Sequence, residues 1–247
     1  YGLDIGIMRL RRTLIYRKPW ALLLGNVQGV PSSLEGKEVL MKNAMVYGIF
    51  ANVMGYRVES SAWEQCRYLF RKYAPVTELQ DKLGWEPITN AKFENLSNGL
   101  IERFGDFTNG SVVFTLYNSS YDESLNEKVI VDLKEIGLEK SKWENLRAYD
   151  IINNEGVELT LDVANGELSF AKELYPEDAT AIMIATEEEI FEYLAEYCVP
   201  DFTRISTAII NIPKTIGTYR EELPEGYDKF EQAMFRIVNL SNNDIQV

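Results

Sequence analysis

Four segments decide the fold: L-I-E-R-F-G-D-F-T-N-G-S-V-V-F-T-L-Y-N-S-S (Leu100–Ser120), K-V-I-V-D-L (Lys128–Leu133), G-V-E-L-T-L-D-V-A-N-G-E-L-S-F (Gly156–Phe170) and A-T-A-I-M-I-A-T (Ala179–Thr186). Apolar and polar residues alternate within each. That is the period of strands lying half buried against a second layer. Gly105-Asp106, Asn109-Gly110 and Asn165-Gly166 punctuate the runs and read as hairpin turns rather than ligand loops. An antiparallel, all-β region is expected between 91 and 186.

Working back toward the start, the period changes. Trp20–Gly25 and Gly48–Gly55 are short apolar runs without alternation, each closing on glycine, as fully buried strands do. Glu35–Tyr47 between them reads as a helix, so the order is that of a parallel βαβ unit. Trp63–Leu83 carries an apolar stripe of Cys66, Leu69, Phe70, Tyr73, Leu79 and Leu83, which predicts a long helix. Pro75 is expected to kink or divide it, Gly84 to sit at its C′ position, and Ser60 or Ser61 with Glu64 to cap its start. Beyond 186, Glu187–Tyr197 reads as an acidic amphipathic helix with Ile190, Phe191, Leu194 and Ala195 on one side and Glu187–Glu189 solvated. Tyr227–Val238 reads as another helix.

The bulk properties bound the function. A chain of 247 residues, 46% hydrophobic and 12% aromatic, folds as one large domain or two ordinary ones. Its formal net charge of −13 argues against nucleic acid and against anionic membrane surfaces as partners. No apolar run reaches the length of a membrane span, so a soluble protein is expected, with the cytoplasm favoured. The chain has no histidine, which excludes a Ser-His-Asp or Cys-His nucleophile and a histidine-ligated metal within it. Cys66 and Cys198 are the only cysteines, too far apart for a zinc knuckle and expected to be reduced. No metal and no cofactor are expected; Asp122-Glu123 with Asn126-Glu127 miss the spacing of an EF-hand. Two readings stand for a chain that opens at Tyr1: a processed or engineered start, or a piece of a longer polypeptide.

The α/β segments R-R-T-L-I-Y-R-K-P-W-A-L-L-L-G-N (11–26), M-V-Y-G-I-F-A-N-V-M-G-Y (45–56) and C-R-Y-L-F-R-K-Y-A-P-V-T-E-L-Q-D-K-L-G-W-E-P-I-T-N-A (66–91) resemble the end of a (β/α)8-barrel glycoside hydrolase. In such proteins a Y-G-I-F strand is followed by a loop, a long helix, a G-W-E-P exit and an E-R-F-G entry into a C-terminal β-sandwich. Here the entry is Ile101–Gly105, and Asp162–Glu167 with Leu174–Ala179 is similar to the closing hairpin. The resemblance covers roughly 11–186. It implies the terminal β/α units of a barrel over 1–90, an antiparallel β-sandwich over 91–186 and a short helical tail over 187–247. It also implies about two of the eight barrel strands, the others belonging to a longer chain or another subunit.

Barrel active sites lie at the carboxyl ends of the strands. The resemblance therefore places Asn26 and Gln28 after the first strand and Tyr56, Arg57 and Glu59 after the second. It implies a carbohydrate substrate, hydrogen-bonded by Asn26, Gln28, Tyr56 and Arg57 and stacked on Trp63. Glu59 would be one of the two carboxylates that glycoside hydrolysis requires. Read from its neighbours alone, Glu59 is a solvated loop residue or a charge at a helix start rather than a catalytic group. The basic residues Arg11, Arg12, Arg17 and Lys18 read as partners of nearby acids. Three functional readings stand: the end of a carbohydrate-active hydrolase, a noncatalytic carbohydrate-binding or assembly module, and a self-contained α+β enzyme with a single mixed sheet.

Overall fold

The computed structural model describes residues 5–24, 34–53, 61–95, 98–107, 110–138 and 140–197. The chain divides into compact units Tyr1–Ile190 and Phe191–Val247.

The first unit begins with helix α1 (Ile5–Ile15), then β1 (Trp20–Leu24), α2 (Leu34–Val46), β2 (Ile49–Val53) and α3 (Ser61–Leu83). β1 and β2 pair in parallel, Trp20 against Ile49 through Leu24 against Val53, with α2 as the crossover. The sequence pattern did not announce α1; its helical period lies in Met8 and Arg12, four residues apart and both buried, with exposed residues between them. α3 runs through Pro75 as a single 23-residue element, so the expected division does not occur. Packing explains this: Leu69, Tyr73, Val76, Leu79 and Gln80 are buried on both sides of the proline, and their burial outweighs one lost backbone bond. Gly84 ends the helix at φ 82°, its N–H donating to the Gln80 carbonyl at 2.9 Å. A Cβ there would lie 3.2 Å from Arg17 Cγ as well as straining the backbone.

Antiparallel strands follow: β3 (Trp85–Glu86), β4 (Ala91–Phe93), β5 (Gly99–Phe104), β6 (Val112–Asn118), β7 (Leu125–Asp132), β8 (Leu146–Asp150), β9 (Glu155–Val157), β10 (Thr160–Asp162), β11 (Glu167–Leu174) and β12 (Ala179–Thr186). They form a six-stranded sheet, β3-β5-β6-β12-β8-β9, and a four-stranded sheet, β10-β11-β7-β4. One apolar core joins them: Val112, Phe114, Leu116, Ile182 and Ile184 from the first sheet meet Val129, Val131, Leu168, Phe170 and Leu174 from the second. Half-burial holds in β7. It fails in β6, buried at every position, and in β12, buried up to Ala185. The reason is a third layer, since α2 covers the outer face of these two strands. Thr115 of β6 donates to the Val46 carbonyl at the end of α2, at 2.8 Å.

α2 and α3 contact both β2 of the parallel pair and the six-stranded antiparallel sheet. β1 pairs with β2 and with no described strand of 91–186, so the alternative of a single mixed sheet does not form. The two parallel strands do not close into a barrel among the described residues. Helix α4 (Glu187–Tyr197) forms at the expected bounds. Ile190 and Leu194 of the expected apolar side are buried together with Tyr193, whereas Phe191 and Ala195 are exposed. Nor is Glu189 merely a solvated charge. Its carboxylate accepts from the Thr186 N–H at 2.8 Å and the Thr186 hydroxyl at 2.9 Å, closing a capping box.

Candidate functional site

The parallel register places the two strand exits side by side. Leu24 and Val53 are paired Cα partners, so 25–33 and 54–60 both leave the carboxyl end of the pair. Asn26, Gln28, Tyr56, Arg57 and Glu59 belong to these segments and lie outside the described residues. Trp63 falls in the first turn of α3, and its side chain is likewise not described. The described structure therefore brings together the strand ends that bear the candidate residues.

The amino end of the pair is built differently, around the buried carboxylate of Glu102. This residue sits in β5 on the face turned toward α1, with only 3% of its side chain exposed. Trp85 Nε1 donates to one oxygen at 2.8 Å and Arg9 Nε to the other at 2.9 Å. Beneath them Arg12 is 1% exposed, its guanidinium 5.8 Å over the Phe104 ring and its Nη1 donating to the Lys18 carbonyl. Burial draws the Arg12 guanidinium below its ordinary pKa, opposed by the charges of Asp81 and Glu102. Gly48 lets this layer close, at φ 61°: a Cβ there would come within 2.6 Å of the Phe104 ring.

Beside it a second charged group forms. Arg17 pairs with Glu86 and, at 3.6 Å, with Asp106; Arg103 donates to the Ile88 carbonyl at 3.0 Å and approaches Glu86 at 3.8 Å. Burial lowers Arg103 from its ordinary value, while Glu86 and Asp106 oppose the shift. Pairing of Arg17 with acids is thus as expected. Glu102, Arg9 and Trp85 were not singled out by sequence. The available signal was a pair of adjacent charges, Glu102-Arg103, inside the apolar run Leu100–Phe104.

A cleft of about 500 Å3 opens here, lined by Arg9, Thr13, Trp85, Lys92, Phe93 and Glu102 among others. Its buried carboxylate is already held by two donors. Lys18 and Val46–Gly48, which immediately precede β1 and β2, touch this layer. It is therefore at the end of the pair opposite the strand exits. Asp150 is likewise committed. Fully buried, it accepts from Ile152 and Asn153 N–H, Asn153 Nδ2, Thr180 Oγ1 at 2.6 Å and Lys172 Nζ at 2.7 Å. It fixes the turn between β8 and β9. Among the described residues no group of three or more acidic or thiol side chains is placed to hold a metal. No helix among them is long and apolar enough to cross a membrane.

No family model matches this chain. No curated protein matches it either. Among solved structures it is similar in part to a family 27 β-L-arabinopyranosidase from Geobacillus stearothermophilus, at 16% identity and TM-score 0.40, over 62% of this chain and 30% of that one. A Bacillus halodurans protein described as a candidate α-N-acetylgalactosaminidase matches at 13% identity and TM-score 0.39, over 60% and 30%. A family 30 subfamily 8 xylanase from Clostridium acetobutylicum matches at 16% and TM-score 0.36, over 75% and 47%. The matches thus span less than half the length of these proteins. The similarity to glycoside hydrolases is weak and partial, and it decides nothing about activity.

Proposed function

We propose that this chain is the C-terminal part of a carbohydrate-active enzyme that hydrolyses glycosidic bonds with paired carboxylates. In this reading 1–90 are the last β/α units of a barrel, 91–186 an antiparallel β-sandwich and 187–247 a helical tail. Most of the catalytic machinery then lies outside this chain.

The supporting observation is the incomplete burial of the α1–β1–α2–β2–α3 run. A parallel pair joined by a helical crossover belongs to sheets covered on both faces. Among the described residues one strand pair stands alone, with Ala21 exposed and Phe50 and Ala51 half-buried. α1 carries Ile7, Leu10 and Leu14 at 49%, 61% and 77% exposure, an apolar stripe at i, i+3 and i+7. A preceding β/α unit would cover that stripe and pair with the edge of β1 that no described strand occupies.

Glu59 is then one carboxylate of the pair, after the second strand, and its partner comes from another strand end. Asn26, Gln28, Tyr56 and Arg57 hydrogen-bond sugar hydroxyls and Trp63 offers a stacking face. The test is hydrolysis of aryl pentosides and hexosides by the natural polypeptide and its Glu59→Gln variant. Loss of at least about 10²-fold in kcat, with KM little changed, is the expected result. Wild-type kcat in the variant removes Glu59 from the pair. No hydrolysis by the natural polypeptide removes the enzyme and leaves a noncatalytic carbohydrate-binding module.

A further inference from the structure

A separate cleft of about 430 Å3 opens where the loop between β6 and β7 meets the segment leading into β5. Its volume falls within the roughly 300–1,000 Å3 of small-molecule sites. The floor is rigid. Asn118, 1% exposed, donates through Nδ2 to the carbonyls of Glu123, Leu174 and Tyr175 at 2.7, 3.2 and 3.1 Å, and its Oδ1 accepts from Ser120 N–H. Ser120 Oγ in turn accepts from Glu123 N–H at 3.0 Å.

The walls are not committed in this way. The side chains of Asn98, Glu123, Ser124 and Asn126 line the cleft and make no hydrogen bond or ion pair among the described residues. Two amides, a hydroxyl and a carboxylate offer donors and acceptors together. No Lys or Arg lines the cleft, whereas Glu123 and Glu127 do, which disfavours an anionic ligand. Leu125 is the only apolar residue in the lining and is itself 7% exposed, which disfavours an apolar one. Two carboxylates fall short of a metal-holding group. Two exposed tyrosines belong to the segments that Asn118 ties together, Tyr121 at 82% and Tyr175 at 66% exposure. Neither lines the cleft itself; Tyr121 follows Ser120, which does, so its exposed ring is offered to a saccharide longer than the cleft.

We propose that this cleft binds a neutral saccharide, as a contact of the antiparallel unit separate from the strand-end site. Its position rests on the cleft's own chemistry; the choice of a sugar among neutral polyols rests on the carbohydrate-active reading above. Asn98, Ser124 and Asn126 hydrogen-bond the hydroxyls, and Tyr121 supplies the stacking face.

The experiment is calorimetric titration of the full chain with xylohexaose, cellohexaose and mannohexaose, repeated on Asn126→Ala and Tyr121→Ala, alongside calcium alone. Binding of one oligosaccharide, weakened about tenfold or more in each variant at unchanged Tm, is the expected result. No binding of any of the three, equal binding by wild type and variants, or binding of calcium in place of sugar overturns the proposal. Hydrolysis of aryl glycosides by the natural polypeptide separates the two readings. Cleft-dependent binding without hydrolysis keeps the cleft and removes the enzyme, and hydrolysis without cleft-dependent binding does the reverse.

Discussion

Val129 and Val131 in β7 are sealed from solvent, whereas Leu10 and Leu14 in α1 stand largely exposed, although all four are aliphatic residues on regular elements. The two regions differ in how their sheets find cover. The antiparallel strands bring both sheets of their own core, so every inward residue meets a partner within the chain. The parallel strands depend on helices for one face and on further strands for their edges, and the described residues supply only part of these. Among the described residues, exposure thus marks where the parallel pair and α1 lack cover.

This contrast predicts a steep gradient in mutational effect. Val129→Asp places an unpaired charge in the shared core of the two sheets. It is expected to cost more than about 5 kcal/mol, enough to unfold the antiparallel unit. Loss of the cooperative urea transition would show it, and a folded variant would mean that the core is not the closed layer described.

Next in size is Glu102→Ala, at the junction of the two regions. It strands Trp85 Nε1 and removes the charge that faces Arg12, so roughly 3–5 kcal/mol is expected. On the proposed carbohydrate-active reading, because Glu102 lies at the end opposite the strand exits, hydrolysis by the natural polypeptide, scaled to the folded fraction, should be unchanged. A kcat loss without a stability loss would move Glu102 into the reacting machinery.

The smallest effect belongs to Leu14→Glu. At a surface position already in water, the stability of this chain should shift by no more than about 0.5 kcal/mol. On the proposed reading, the same substitution should weaken association with a preceding β/α segment that covers α1, read in sedimentation. A large stability loss in the isolated chain would show that the stripe already packs within it.

Much of this architecture was legible in the residues. Glycine-bounded apolar runs marked β1 and β2, alternation marked β7 and β11, and Gly84 marked the end of α3, because each depends on local period or local backbone freedom. The candidate strand-end residues were legible only through resemblance and order. The layer around Glu102 was not, since Arg9, Trp85 and Glu102 are distant in sequence and no period links them.

By itself the sequence determined most of the described element types, though not α1, the parallel crossover, and the exclusion of histidine chemistry within this chain, all set by composition and neighbours within one turn or strand. Only the tertiary structure decided that α3 runs through Pro75, that β6 and β12 are buried on both faces and that Glu102 is a buried junction carboxylate. Each of these depends on what packs from elsewhere in the chain, and burial by a distant segment leaves no mark on the period of the residues it covers.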